Sequence, residues 1–265
     1  MQPKTSTLER WQFSAAVLLP VVLALVITAA GVLGFVFWSS ASIDRQALER
    51  QTAMFEQVIE THRTQLQHEL ASVAIRDDTL VNTKLMFNAS WVDHNLGRWM
   101  HHFFGHDRIV VLDSHAQPLY MMEDGTAVEP RAYRDIASPI QHLINRVRAI
   151  PPAAQGALPE PAGISDFAVV EGLPAIVSVM TVISDSGAIV QQAGTEPLVA
   201  AVRFLNEEVA ARFNREYQFA NSNFNLARTG GTDRASLPIM NNEGRIVAFF
   251  DWEPNRPGLA MLRQT

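Results

Sequence analysis

From Phe13 to Trp38 the chain carries no charged side chain, and most positions are Val, Leu, Ala, Ile or Phe. About 20 apolar helical residues cross the hydrocarbon core of a bilayer, so this run is long enough to span one with some tilt. It exceeds the apolar stretch of roughly 7–15 residues typical of a cleaved signal peptide, although Ser39 and Ala41 imitate a small-residue cleavage site and keep that rival reading open. Pro20, Gly31 and Gly34 are tolerated in membrane helices, and Trp11 and Trp38 stand near the two ends, where indoles prefer the interface. Lys4 and Arg10 precede the run against one Glu9, while Arg45 and Arg50 follow it. The positive-inside rule then puts the N-terminus in the cytoplasm and everything after the run outside it. This assigns residues 1–12 to a cytoplasmic N-terminus and 13–38 to a transmembrane helix. The expected location is a bacterial inner membrane, with the rest facing the periplasm or the exterior.

A chain of 265 residues has room for one domain of ordinary size beside this anchor, or for two small domains. A net charge of −6 provides no basic surface, so no nucleic-acid partner is expected. The absence of cysteine excludes disulfides, thiolate catalysis and Cys-ligated metals. No Gly-rich phosphate loop, G-x-S-x-G elbow or H-E-x-x-H pattern occurs, which argues against an enzyme and for no cofactor. His94, His101, His102 and His106 form the best metal candidate, but Gly105 interrupts the helical spacing of the last two. Solvated or capping histidines are the plainer reading, and no metal is expected. Asp77 and Asp78 are adjacent, so on a helix they diverge and do not form a shared acid–base pair.

After Ser42 the texture changes. Residues 39–75 read as a stalk helix, without Gly or Pro from Ile43 onward. Leu48, Phe55, Ile59, Leu66 and Val73 fall on heptad core positions, interrupted by Thr52, His62 and Glu69. Phe55, Ile59 and Leu66 are therefore expected to face a second copy across a homodimer seam; the alternative is a helix packed on its own domain. Asp77 to Phe104 reads as irregular helix rich in aromatics, ended by Gly105. Strands are expected at Arg108–Asp113, Leu119–Met122, Ile164–Val170, Ala175–Ile183, Pro197–Leu205, Leu237–Met240 and Arg245–Trp252. Helices are expected at Ser138–Ile150 and Asn206–Tyr217, and a Pro/Ala/Gly-rich loop at Pro151–Gly163. This order predicts an α+β domain with one central antiparallel sheet and helices packed on it.

Ser90 to Gly125 holds Trp91, Asn95 and Gly97 in a W-x-x-x-N-x-G segment, then Leu112-Asp113, then Leu119-Tyr120. Asn242 to Gly258 adds a hairpin ending in Trp252, Pro254, Pro257 and Gly258. In these motifs the chain resembles the fourth type of CHASE domain, an extracellular sensory domain of bacterial cyclases and histidine kinases. It departs from that pattern at Asp77-Asp78, which follow Arg76 where family members often carry a Trp. The resemblance implies a PAS/Cache-like antiparallel sheet behind the long membrane-anchor and stalk helix. It further implies a sensory domain over residues 76–258, with residues 259–265 able to begin a second membrane helix. Cyclic-di-GMP turnover or a kinase is the output it implies.

The resemblance also places a ligand between the sheet and the helices before it. Trp91, Asp93, Asn95 and Trp99 are the candidates there, since Trp91 and Asn95 share a helical face. An aromatic wall with a few polar groups suits a small organic molecule. Arg203, on a predicted strand, is the candidate partner for a ligand carboxylate, or else a solvated strand residue. Two functions stay open: a sensory input domain acting through the stalk, and a membrane-anchored structural or interaction protein without a small-molecule ligand.

Overall fold

The computed structural model describes residues 7–151, 160–229, 231 and 233–264. Lys4 of the N-terminal flank and residues 152–159 of the expected loop lie outside the described residues. One helix, α1 (Thr7–Ala74), contains both the apolar run and the expected stalk. Within the run Thr28 Oγ1 donates to the Ala24 carbonyl at 2.8 Å, so that hydroxyl is satisfied inside the helix. The chain divides into two compact units, one made of residues 1–51 and 255–265, the other of Thr52–Pro254.

In the first unit a short C-terminal helix, α7 (Pro257–Gln264), lies along α1. Asp44 of α1 accepts hydrogen bonds from the backbone N–H groups of Gly258 (2.7 Å) and Leu259 (3.2 Å). It thereby satisfies two of the donors that every helix N-terminus leaves open, and puts a negative charge where the helix dipole favours it. Gly258 packs on Ser40 so closely that a Cβ would overlap the Ser40 backbone, with its carbonyl carbon at 2.8 Å. Phe35 and Val36 meet Met261 and Leu262 around a small cavity of about 150 Å³, so α7 runs back along the apolar part of α1.

The second unit is built on a six-stranded, wholly antiparallel sheet. Its strands are β1 (Arg108–Leu112), β2 (Pro118–Glu123), β3 (Thr126–Val128), β4 (Gly163–Val170), β5 (Leu173–Thr181) and β6 (Leu198–Phe204), in the order β3-β2-β1-β6-β5-β4. The central strands are apolar on both faces because both are covered. Val110, Leu112, Val177, Val179, Ala200 and Val202 point into a core closed by α5 (Tyr133–Arg148), through its Ile136, Ile140, Leu143 and Val147. Ile109, Val111, Met180, Val199 and Ala201 point into a second core. That core is closed by Leu70 and Val73 of α1 and by α2 (Asp77–Leu80), α3 (Ala89–Val92) and α4 (Arg98–Phe104). Two π-helical turns, Val81–Leu85 and Asp93–Gly97, join these short helices. Asn88 caps α3 by accepting from Trp91 N–H, and Gly105 ends α4 in the left-handed conformation (φ 71°).

The expected α+β architecture is present, with two corrections. The last hairpin does not join the central sheet. It belongs to a separate three-stranded sheet of β7 (Ala220–Asn225), β8 (Ala235–Met240) and β9 (Ile246–Glu253), in the order β7-β9-β8. β7 (ANSNFN) has too few apolar and β-branched residues to read as a strand, which is why sequence pattern alone misses this sheet. The helix expected from Ser138 begins instead at Tyr133, with Pro139 inside it.

The placement of Phe55, Ile59 and Leu66 on a seam between chains is corrected as well. Phe55, Ile59 and Leu66 are buried in the chain's own third core, with α6 (Glu207–Tyr217) and the second sheet. Phe55 stacks on Phe250 with ring centroids 4.2 Å apart and meets Phe213 and Phe219 edge-on. A heptad stripe reports that one face of a helix is covered, and here the cover is intramolecular.

Candidate ligand site

The polar interruptions in that stripe define the site. Glu69 sits on the buried face of α1, only 7 % exposed, and meets Arg203 of β6 at 2.9 Å. The same guanidinium nitrogen, Nη2, donates to the carbonyl of Phe104 at the end of α4. Gln65, one turn earlier on α1, donates to the other oxygen of Glu69 at 2.8 Å. A buried ion pair breaks even only when its remaining groups are also hydrogen-bonded, and these contacts do that for Glu69. The result ties α1, α4 and the central sheet to one point.

His106 is fully buried beside the pair, its Nε2 3.3 Å from Glu69, and neither ring nitrogen makes a hydrogen bond to any of the described residues. Burial, then the charges of Arg203 and His101, hold its pKa well below the ordinary histidine value. His62, one turn before Gln65, lies against Phe213 with centroids 5.1 Å apart. Its pKa is also lowered, by burial first, then by Arg203 and Arg212, with Glu216 opposing. Both rings are therefore neutral at neutral pH.

Beside this cluster lies an open cavity of about 320 Å³, at the small end of ligand sites. Thr61, His62, Gln65 and Glu69 of α1 form one wall and Phe103 and Phe104 of α4 another, with Arg203 of β6 and Arg212, Glu216 and Tyr217 of α6 completing it.

Of the five candidates from sequence, Arg203 lines this cavity. It is not a solvated strand residue, because it is buried and paired with Glu69. Trp99 stands beside the aromatic wall, its ring 5.4 Å from Phe103 and 5.0 Å from Phe104. Trp91, Asp93 and Asn95 lie elsewhere, around the π-helical turn. Asn95 Nδ2 donates to the Trp91 carbonyl at 2.9 Å. Asp93 accepts from the Tyr120 hydroxyl at 2.8 Å and pairs with Arg98 at 2.8 Å. Burial and the Asp93 contact both raise the Tyr120 pKa, so the phenol keeps its proton and donates. Gly97 lets the Tyr120 ring in: a Cβ there would overlap its hydroxyl and sit 2.8 Å from Cζ. The W-x-x-x-N-x-G pattern thus has a packing meaning, since it shapes a helical turn around a strand tyrosine.

The aspartates and histidines are placed separately. Asp77 accepts from the Ser184 and Ser186 hydroxyls, which hold its pKa below the usual value, whereas Asp78 pairs with Arg76 at 2.8 Å. Among the described residues no group of three His, Asp or Glu is arranged to hold a metal. His62, Gln65, Glu69, Arg212 and Tyr217 escaped the sequence reading. The available signal was polar residues recurring on the covered face of an otherwise apolar stripe.

A search among curated proteins finds no match. The sequence model of the CHASE4 domain, however, matches residues 58–225, more than half of the chain and every residue that lines the cavity. CHASE4 domains are extracellular, sensory and non-catalytic. With its apolar helix long enough to cross a membrane, its covered antiparallel sheet and this match, the chain belongs to the CHASE4 domain family.

Proposed function

We propose that this chain is the extracytoplasmic input part of a bacterial membrane receptor. In this reading it is anchored in the inner membrane by the first half of α1 and binds a small molecule in the cavity beside Arg203. It passes the result along α1 to an output of the cyclic-di-GMP or histidine-kinase kind. One observation carries the reading: His62, Gln65 and Glu69, a whole wall of the cavity, belong to the helix that also contains the apolar run. A ligand shifts a receptor only through unequal affinity for two states. A ligand touching α1 on one side and β6 with α6 on the other discriminates between positions of α1 directly.

The test is a chimera in which the chain replaces the input region of a transmembrane histidine kinase, with autophosphorylation read in membrane vesicles. Thr61→Trp fills the cavity from an exposed position, and Glu69→Gln loosens α1 from Arg203. Both are expected to move kinase activity away from the wild-type chimera, in the same direction in repeated preparations. Identical output from all three chimeras, with equal amounts in the membrane, would overturn the sensory reading.

A further inference from the structure

Resting on that reading, we infer the chemical class of the ligand: the cavity takes a small organic carboxylate, its apolar body against Phe103, Phe104 and Tyr217. The first support is the state of the two arginines that line it. Arg203 makes its contacts to Glu69 and to the Phe104 carbonyl through Nη2 alone. A guanidinium carries five N–H donors in a planar fork, so the group has donors beyond those contacts while it also faces the cavity. Arg212 has a long pairing, 3.8 Å, with Glu208, whose side chain is 79 % exposed. Such an exposed helix pair is weak, and a carboxylate in the cavity competes with it easily.

The second support is where the arginines stand relative to the cavity wall. Glu69 is matched by Arg203 at 2.9 Å, and Arg212 stands near the exposed Glu208 and Glu216. His62 registers the sum from the cavity wall, because the two arginines favour loss of its proton more than Glu216 opposes it. An anion is therefore drawn by the arginine donors at that wall and not by net charge, since Glu69 and Glu216 line the cavity beside Arg203 and Arg212. The third support is the lining: three aromatic rings in about 320 Å³ leave little room for the hydrated shell of a polyphosphate and match a monoanion with an apolar or flat body.

The experiment uses the full chain in nanodiscs and three matched probe sets: benzoate and phenylacetate, their amides, and benzylamine with phenethylamine. Binding is read by calorimetry, with the unfolding temperature as a second readout. The carboxylates are expected to bind, and the amides and amines to bind at least tenfold more weakly. Arg212→Gln, half-exposed and outside the cores, is expected to keep the wild-type unfolding temperature without ligand and to weaken carboxylate binding roughly ten- to a hundredfold. Thr61→Trp is expected to abolish it. Equal or preferred binding of amides or amines overturns the carboxylate assignment and leaves the sensory reading intact. Carboxylate binding that survives both substitutions places the site elsewhere and also overturns it, as does failure of both carboxylates to bind at millimolar concentration. The kinase chimera needs none of these probes, so failure of the sensory reading is seen separately.

Discussion

Arg203 shows how far a single residue can be read. A lone arginine in an apolar strand (LVAAVRF) costs too much to bury without an acid, so it signals a partner without naming it. The partner, Glu69, is 134 positions away and looks like a flaw in a heptad until the fold is known. Removing one member leaves the other charged and buried, which typically costs about 3–5 kcal/mol, whereas replacing both by apolar residues is often neutral. Glu69→Leu is therefore expected to lower unfolding free energy by about that amount, and Glu69→Leu with Arg203→Met to recover most of it. Denaturant melts of the four chains form the double-mutant cycle that checks this; additive losses would mean the pair is not coupled. His106 allows a pH prediction. Its folded pKa lies well below the ordinary 6.5, so the unfolded chain binds a proton that the folded chain refuses. Stability then rises with pH and is lost as pH falls below about 6.5, by up to about 1.4 kcal/mol per pH unit for one group. His62 acts with the same sign. Asp107, raised by burial, acts with the opposite sign above its ordinary 3.8. Comparing wild type with His106→Leu between about pH 5 and 6.5 isolates the His106 contribution, because Asp107 and His62 are present in both. The variant is expected to have the shallower acid limb, and parallel limbs would show that His106 does not resist protonation.

Elements were legible where period and turn chemistry agreed. β1 and β6 are apolar runs bounded by turn residues, and their boundaries follow within a residue, whereas β5 starts and ends two residues before the expected Ala175–Ile183 because the turn needs only Glu171 and Gly172. β3 was missed although its turn is written in the sequence: Asp124 (φ 46°) and Gly125 (φ 80°) form a two-residue hairpin turn of the D-G kind. The strand behind it is three residues long, too short to show alternation. On α1 the stripe was found but its partner misassigned, since periodicity says that a face is covered and not by which chain. This has a direct consequence for crosslinking. The chain contains no cysteine, so single cysteines can be placed at will. At Phe55, Ile59 and Leu66 they are expected to give no disulfide-linked dimers on mild oxidation, because those positions are buried in the chain's own core. Within one chain, a Val36→Cys, Leu262→Cys pair is expected to be joined by a short bis-maleimide. Asp44→Ala is expected to reduce that product several-fold by uncapping α7. Dimers with heptad spacing through Phe55 and Leu66, or crosslinking indifferent to Asp44, would contradict these packings.

For the whole molecule, the proposed orientation rests on one segment, the uncharged run, and on the charges beside it. The run is legible because a bilayer allows few sequences: about 20 residues without a charge, with every backbone group bonded inside the helix. The domain beyond it needed the fold, because its site joins residues from positions 61 to 217 that no local pattern links. The direction of insertion rests on Lys4 and Arg10 against Glu9 on one side and Arg45 with Arg50 on the other, a modest bias. It is tested without truncating anything. Met86 and Val190 belong to the second unit and are 73 % and 92 % exposed, so a cysteine at either is open to reagent without disturbing a core. In intact bacterial cells with a permeabilised outer membrane, both variants are expected to react with a membrane-impermeant maleimide as fully as they do after lysis. A cysteine at Gln2 is expected to react only after lysis. The reverse pattern would place the second unit in the cytoplasm, where it could not receive an external carboxylate. Labelling of Met86→Cys and Val190→Cys in a soluble fraction that has lost the N-terminal run would show instead that the run is removed like a signal peptide.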